Sequence, residues 1–397
     1  MGQQANPSLP TMNFHELKTA IPAHLFKCSN AASLRLLVRD IAMSLILAYG
    51  VLRLDAVLSS MNCETAARQL LKYVCLSVPW MAYWWFQGLV LTGIWVIGHE
   101  CGHGSFFTSQ RFCDIIGFVC HSALWTPYFS WKITHHSHHR HHASMEKDEH
   151  WVPQTRSKAL IGDSVFEDTP IVTVMLLVVQ QVAGFPFYLL FNVSGQRTYP
   201  KATGHFNPFS TALFQRNQRW AVIMSDLGIL LTAFVVRYAS IRFGGWQVFR
   251  LYGIPCLTVS HWVTMIVFLQ HTDPELPHYR RSTWNFSRGA LSTMDRDFLG
   301  WQGRFFLHNI AHFHVAHHLF PKMPLYHTPE ATLILKEILG DQYHASSEPA
   351  FSVLWRNYHL CQFVEDHDEV AYYKDRWGQN RFLDGFVAHS GGLNARG

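Results

Sequence analysis

The sequence is poor in charge. Asp, Glu, Lys and Arg make up 15% of its 397 residues, against about 25% in a typical soluble domain, which argues against an ordinary soluble protein. The charge that is present sums to +5, a modest excess that suits an anionic lipid surface and equally a solvated basic face. No basic tract with interleaved aromatics occurs, so nothing points to nucleic acid. The eight cysteines are scattered, form no C-x-x-C pair and lie mostly in or beside apolar runs. That pattern excludes a disulfide framework and reads as free thiols in a reducing or lipid setting. The opening residues, MGQQANPSLPTMNFHELK, lack the apolar stretch of a cleavable signal, and Asn6 stands where a myristoylation pattern wants Ser or Thr. Targeting then falls to the first membrane span.

What the chain does have is apolar length. Tyr73–His99 runs 27 residues without Asp, Glu, Lys or Arg, Thr169–Gln196 runs 28 and Leu251–Thr272 runs 22, where about 20 apolar residues suffice to cross a bilayer. Candidate spans are Ile41–Ser59, Val74–Ile97, Ile171–Val193, Trp220–Val236 and Leu251–Gln270. Ile115–Trp131 is only 17 residues long and contains Pro127, so it is expected to be interfacial. A surface helix is expected over Ala31–Val38. The chain divides into a polar lead-in, 1–40, a membrane region, 41–345, and a polar tail, 346–397. No internal repeat is visible.

Histidine is the abundant residue: 26 of them, in clusters. His99 and His103 stand at i and i+4, one helical face. HHSHHRHH spans 135–142, where His135-x-x-His138-His139 and His138-x-x-His141-His142 fit one pattern equally well. His314, His317 and His318 form a third group at i, i+3 and i+4. A lone His pair is usually incidental, and a His-rich loop can be a pH-sensitive surface. Three clusters in one membrane chain instead make a metal site. His99, Glu100 and His103 also spell the H-E-x-x-H of a zinc protease, but such a zinc needs three protein ligands and a water. Eight imidazoles suit two metal ions, and zinc carries no redox chemistry, so the pattern points to oxygen activation, with Glu100 orienting a ligand. A metal transporter would place ionisable groups inside its spans; Tyr73–Ile97 and Leu251–Leu269 carry no charge.

A single site requires the clusters to share one side of the membrane, yet three apolar segments separate the second cluster from the third. One of them must not cross. If Trp220–Val236 stayed on the cluster side, seven basic residues, Arg197, Lys201, Arg216, Arg219, Arg237, Arg242 and Arg250, would sit on the wrong side by the positive-inside rule. If Ile171–Val193 stays, only Arg242 and Arg250 do. Gln180, Gln181, Gly184 and Pro186 interrupt that segment as a re-entrant hairpin would require. The expected fold is therefore all-α: a polytopic integral membrane protein with about four transmembrane helices, interfacial or re-entrant helices and a cytosolic His-rich di-metal cap. The sequons at Asn192 and Asn285 would then face the cytosol.

HECGHGSFF at 99–107, TPYFSWK at 126–132, MEKDEHWVP at 145–153, LQHTDPELPHY at 269–279, RGALSTMDRD at 288–297 and HVAHHLF at 314–320 together resemble the membrane-bound fatty acid desaturases. The similarity is greatest to the plant and fungal oleate (delta-12) desaturases and their acetylenase, hydroxylase and epoxygenase relatives. It runs from AIPAHLF at 20–26 to EATLILKEILGDQY at 330–343. The resemblance implies two iron ions on His99, His103, His135, His138, His139, His314, His317 and His318, with His271 as a ninth ligand and no catalytic residue beyond the ligands. It sets the second box on His135, His138 and His139, leaving His141 and His142 extra. His308 and His312 are weaker ligand candidates. It further implies O2 as co-substrate, electrons from NADH through a reductase and cytochrome b5, an acyl lipid or acyl-CoA substrate, and an endoplasmic reticulum membrane location with the boxes on the cytosolic face. The chain has no His-Pro-Gly-Gly signature of a fused cytochrome b5. It departs from the plant pattern at His312 and Phe313, where Asp-Thr is usual, so Phe313 is expected to shape the end of an acyl tunnel.

Overall fold

The computed structural model describes residues 13–62, 65–159, 169–201, 203–380 and 382–383. The signal and myristoylation readings fall on the first twelve residues, outside that set, as does the end of the tail from residue 384. The order of helices is α1 Phe14–Ala20, α2 Asn30–Ser59, α3 Ala66–His103, α4 Gln110–Ser122, α5 Tyr128–His141, α6 Pro170–Phe191, α7 Arg219–Phe243, α8 Gly245–Val248 and α9 Ile254–His271. Then follow α10 Phe286–Leu291, α11 Trp301–Phe306, α12 His314–Leu319, α13 Thr328–Leu339 and α14 Ala350–Leu360. Among the described residues, strands are confined to two-residue pairs: β1 His278–Tyr279 lies antiparallel to β4 Val370–Ala371, and β2 Asp295–Arg296 lies parallel to β3 Ala345–Ser346.

Among the described residues, five helices are long and apolar enough to cross a membrane: α2, α3, α6, α7 with its leading turn, and α8–α9, which a wide π turn joins into one rod. Their outer faces expose Leu45, Ile46, Leu230, Leu231 and Phe234, a surface that water would not tolerate and lipid would. The chain is a polytopic membrane protein. Two antiparallel pairs carry it across and back. α2 starts beside the polar layer, where Cys28 Sγ donates to Phe106 O. Its far end meets the start of α3 through Lys72 Nζ, which donates to Ser59 O and Met61 O. α7 starts beside α5, with Ser225 Oγ accepting from the Phe129 and Ser130 N–H groups. It turns at Gly244, φ +89°, and the chain returns along α9. α3 and α9 therefore end on the same face. At the opposite end Arg250 pairs with Asp55 at 3.0 Å and lies 4.2 Å from the Trp80 ring centroid. This neutralises the arginine that the positive-inside rule disfavoured there.

Two expectations are corrected. The surface helix over Ala31–Val38 is not separate: Ser29 caps Ala32 N–H and a single 30-residue helix runs on into the membrane segment. Nor is Ile171–Val193 a hairpin; α6 is one continuous 22-residue helix. Pro186 removes the donor that would bond Val182 O, and Ser260 Oγ of α9 donates to that carbonyl instead at 2.8 Å. Phe185 N–H donates to Thr264 Oγ1 at 3.1 Å. A Cβ on Gly184 would meet Thr264 at 2.9 Å, so the glycine permits close approach. Polar α9 side chains thus repair the helix that Gly184 and Pro186 would break. The C-terminal flank of α6 belongs to the polar layer, where Ser194 O accepts Val152 N–H. Ile115–Trp131 is split at Pro127 between α4 and α5, as its length required.

Candidate metal centre

α3 ends on Gly104 at φ +71°, a left-handed cap that only glycine adopts without strain. The stop leaves His99 and His103 in the last turn. α5 carries its histidines in its last turns, and α9 ends on His271. Three helix C-termini, each with the partial negative charge of unpaired carbonyls, converge on one place, an arrangement that favours cations. α12 brings the third group. Asp295 accepts Val315 N–H at 2.9 Å and the Tyr343 hydroxyl, fixing the start of that helix. Arg296 donates to Leu269 O at 2.7 Å and pairs with Asp273 at 2.7 Å, holding the end of α9. Arg356 and Asn357 of α14 bond the same Asp273.

All nine histidines expected as ligands are buried in one assembly. His99, His103, His135, His139 and His317 present ligand atoms within 4.8 Å of one another. His271, His314 and His318 form a second such group, and His138, His142 and His271 a third that shares a member with it. The Nε2 atoms of His99, His103 and His139 lie 2.8, 3.1 and 3.1 Å from Nε2 of His135. Imidazole nitrogens about 2 Å from a shared ion stand roughly 3 Å apart, so this spacing is compatible with one metal ion among them. Three of the ligand rings, those of His99, His138 and His314, have an outward-facing nitrogen tied down. His99 Nδ1 donates to Glu100 Oε1 at 2.9 Å, and Ser105 Oγ donates to Glu100 Oε2 at 2.6 Å. His138 Nδ1 donates to Asp148 Oδ1 at 2.8 Å and His314 Nδ1 to Ile310 O at 3.1 Å. Such partners set the tautomer that leaves Nε2 bare for a metal. Glu100 engages the outer nitrogen of His99, away from the convergent Nε2 atoms, so it is not placed as the base of a zinc protease.

Burial, reinforced by repulsion between neighbouring rings, drives His135, His139, His314 and His318 well below the usual imidazole range. They are neutral at physiological pH, the form that binds metal. Burial alone would raise the Asp148 carboxyl, but His138 and His142 reverse this and hold it well below the usual carboxylate range.

Some expectations change. His142, set aside as extra, is in the assembly, 4.5 Å by ring centroid from both His271 and His318. Its signal in the sequence was its place four residues after His138 on one helix face. His141 is half-exposed and bonds Ser137 O. His308 pairs with Asp40 at 2.7 Å and His312 with Asp297 at 3.1 Å; both lie outside the convergent groups and fasten α2 and α11 to the polar layer. Phe313 packs near His312 and is not among the residues lining the pocket at the assembly.

That pocket is narrow, about 30 Å³, and lined by Trp95, Val96, Val263, Ile266, Val267 and Ile310 besides the imidazoles. Beside it, between α6, α9 and the polar layer, lies a cavity of about 390 Å³. A ring of apolar side chains therefore separates the imidazoles from water while leaving room for a chain-like apolar ligand.

Comparison with known proteins agrees with this geometry. A family model described as fatty acid desaturase matches residues 79–349. The chain is 40% identical to the delta(12) fatty acid desaturase of Mortierella isabellina over 94% of this chain and 92% of that one. It is 41% identical to the delta(12)-fatty-acid desaturase of Arabidopsis thaliana over 91% and 89%, respectively. It is 39% identical to the oleoyl-12-hydroxylase of Ricinus communis over 96% and 94%.

Proposed function

The chain belongs to the fatty acid desaturase family, an oxidoreductase family acting on fatty acyl chains, and on that premise we propose that it is an O2-dependent di-iron acyl desaturase. The observation that carries the reading is the convergence of His99, His103, His135, His138, His139, His271, His314, His317 and His318, all buried, at the polar-layer ends of α3 and α9. The first group, with His135 and His317, would hold one iron; His138, His271, His314 and His318 would hold the other. When bound, the iron pair supplies the two-electron activation of O2 that removal of two hydrogens from an unactivated chain demands.

The protein's own part is position and exclusion. Glu100 and Asp148 hold ligand rings in one tautomer. Trp95 stacks on His99 with centroids 5.8 Å apart and meets Trp131 edge-on at 5.3 Å, keeping that side dry. The 30 Å³ pocket admits only a short stretch of chain, so the methylenes to be oxidised are selected by where the rest of the chain is held. The favoured substrate is an oleoyl-type chain attacked in a delta-12-like position, carried on a lipid or CoA. Electrons come from NADH by way of cytochrome b5 and its reductase. The membrane is that of the endoplasmic reticulum, with the imidazoles on the cytosolic side. The 39% identity to a hydroxylase favours one second reading: the same site placing an oxygen, or a further unsaturation, on the chain.

Expression in a yeast that makes no dienoic acids, followed by gas chromatography–mass spectrometry of total fatty acids, tests this. A new dienoic acid that vanishes with His317→Ala is expected. A hydroxy, epoxy or acetylenic acid with the same His317 dependence selects the second reading. A product unaffected by His317→Ala contradicts the metal assignment.

A further inference from the structure

Two cavities meet at one imidazole. The 390 Å³ cavity between α6 and α9 and the 30 Å³ pocket at the metal assembly share three lining residues, His150, Val263 and Val267. These form the neck through which an acyl chain in the larger space must pass to reach the metals. Two are the aliphatic residues expected of such a passage. The third is not.

His150 is 4% exposed. Its ring lies flat on Tyr188, centroids 4.4 Å apart and planes 4° from parallel. It stands 5.1 Å from His138 and 5.9 Å from His135. Its backbone N–H donates to Asp148 Oδ1 at 3.0 Å, the carboxylate that also orients His138, so ring and metal site are held in register. His150 belongs to none of the groups whose ligand atoms converge. Its Nδ1 is buried and has no hydrogen-bond partner among the described residues. A buried polar group is almost always bonded. A plain methylene chain threaded through this neck would seal the imidazole away from water and leave it unmet.

Resting on the acyl-desaturase reading, we infer that His150 is a specificity-determining residue that reads an oxygen function already present on the acyl chain, one neck's length from the carbons to be oxidised. A hydroxyl, carbonyl or epoxide oxygen at that level bonds the imidazole; a hydrocarbon does not. The substrate class is then a functionalised acyl chain, and the reaction that supplies it is an earlier oxygenation. Sites that hydrogen-bond a substrate group reject analogues lacking it far more strongly than apolar pockets reject an added methylene.

The test is binding, independent of turnover. Purified metal-loaded protein in nanodiscs is titrated, in competition with a fluorescent fatty acid, with octadecanoate and with octadecanoates carrying one hydroxyl walked along the middle of the chain. At least one isomer should bind wild type roughly tenfold or more tighter than octadecanoate. His150→Phe keeps the stack on Tyr188 but loses both nitrogens, and His150→Val serves as a second variant. In each the advantage should fall to about one, with octadecanoate affinity and bound metal unchanged. Equal affinity of wild type for all isomers, an advantage that survives in both variants, or loss of metal in both variants overturns the inference while leaving the acyl reading intact. Failure of every chain, substituted or not, to compete would overturn the acyl reading and this inference with it.

Discussion

Asp148 shows how much of the site rests on residues that touch no metal. One carboxylate accepts from His138 at 2.8 Å, from the Ala143 and His150 N–H groups at 3.1 and 3.0 Å, and faces His142 at 3.3 Å. It closes the end of α5 and sets one ring by which the second iron would be held. Removing such a partner typically lowers metal affinity about 10–100-fold. Asp148→Ala should therefore lose one iron of the pair before the other under mild chelation, read as a metal-to-protein ratio falling toward one. Loss of both together, or of neither, would contradict the assignment of His138 to a separate group. The three imidazole boxes could be read from spacing because i, i+4 repeats on a helix leave no other use for so many rings. The roles of Asp148, His142 and His150 could not, because each depends on what stands opposite it.

The α6–α9 pair is where local and tertiary preferences disagree. Gln180, Gln181, Gly184 and Pro186 read locally as a break, yet α6 continues because Ser260 supplies Val182 O with the hydrogen bond that Pro186 cannot. A buried carbonyl stripped of its partner costs about 1–3 kcal/mol. Ser260→Ala should destabilise the protein by roughly that amount in thermal or denaturant unfolding, and adding Pro186→Ala should recover most of it, since the intrahelical donor returns. A double-mutant cycle with no coupling between the two sites would show that the repair is not energetic. The α2–α3 and α7–α9 pairs each return the chain to the face where the histidine clusters meet, and α6 is a fifth apolar helix packed against α9. The long apolar runs made these helices legible; that α2 is one rod and α6 one helix came from a cap at Ser29 and from side chains on another helix.

At the scale of the whole molecule, the polar layer is held by buried groups that must stay uncharged. His205 bonds Thr134 Oγ1 at 3.0 Å and lies against Tyr188, and burial lowers its pKa to about 4. Since the unfolded imidazole titrates near 6.5, the unfolded chain binds the extra proton between those values. Stability is complete above pH 6.5 and is lost as the pH falls toward 4. The single group accounts for on the order of 2 kcal/mol at pH 5. The unfolding midpoint in detergent should drop between pH 7.5 and 5, and His205→Gln should flatten that dependence. An unchanged slope in the variant would place the acid sensitivity elsewhere.

Composition and periodicity alone determined that this chain lives in a membrane, is helical, and brings three imidazole boxes to one face, because apolar length and i, i+4 spacing are properties of a segment by itself. They could not separate the two registers of HHSHHRHH, since both place rings on the same face of α5. The fold buries His135, His138, His139 and His142 in one assembly and leaves His141 half-exposed. Only tertiary structure decided that, and with it the neck at His150 and the pairing of Asp55 with Arg250. Each is a relation between residues distant in sequence, set by how helices end and cross rather than by what any one of them contains.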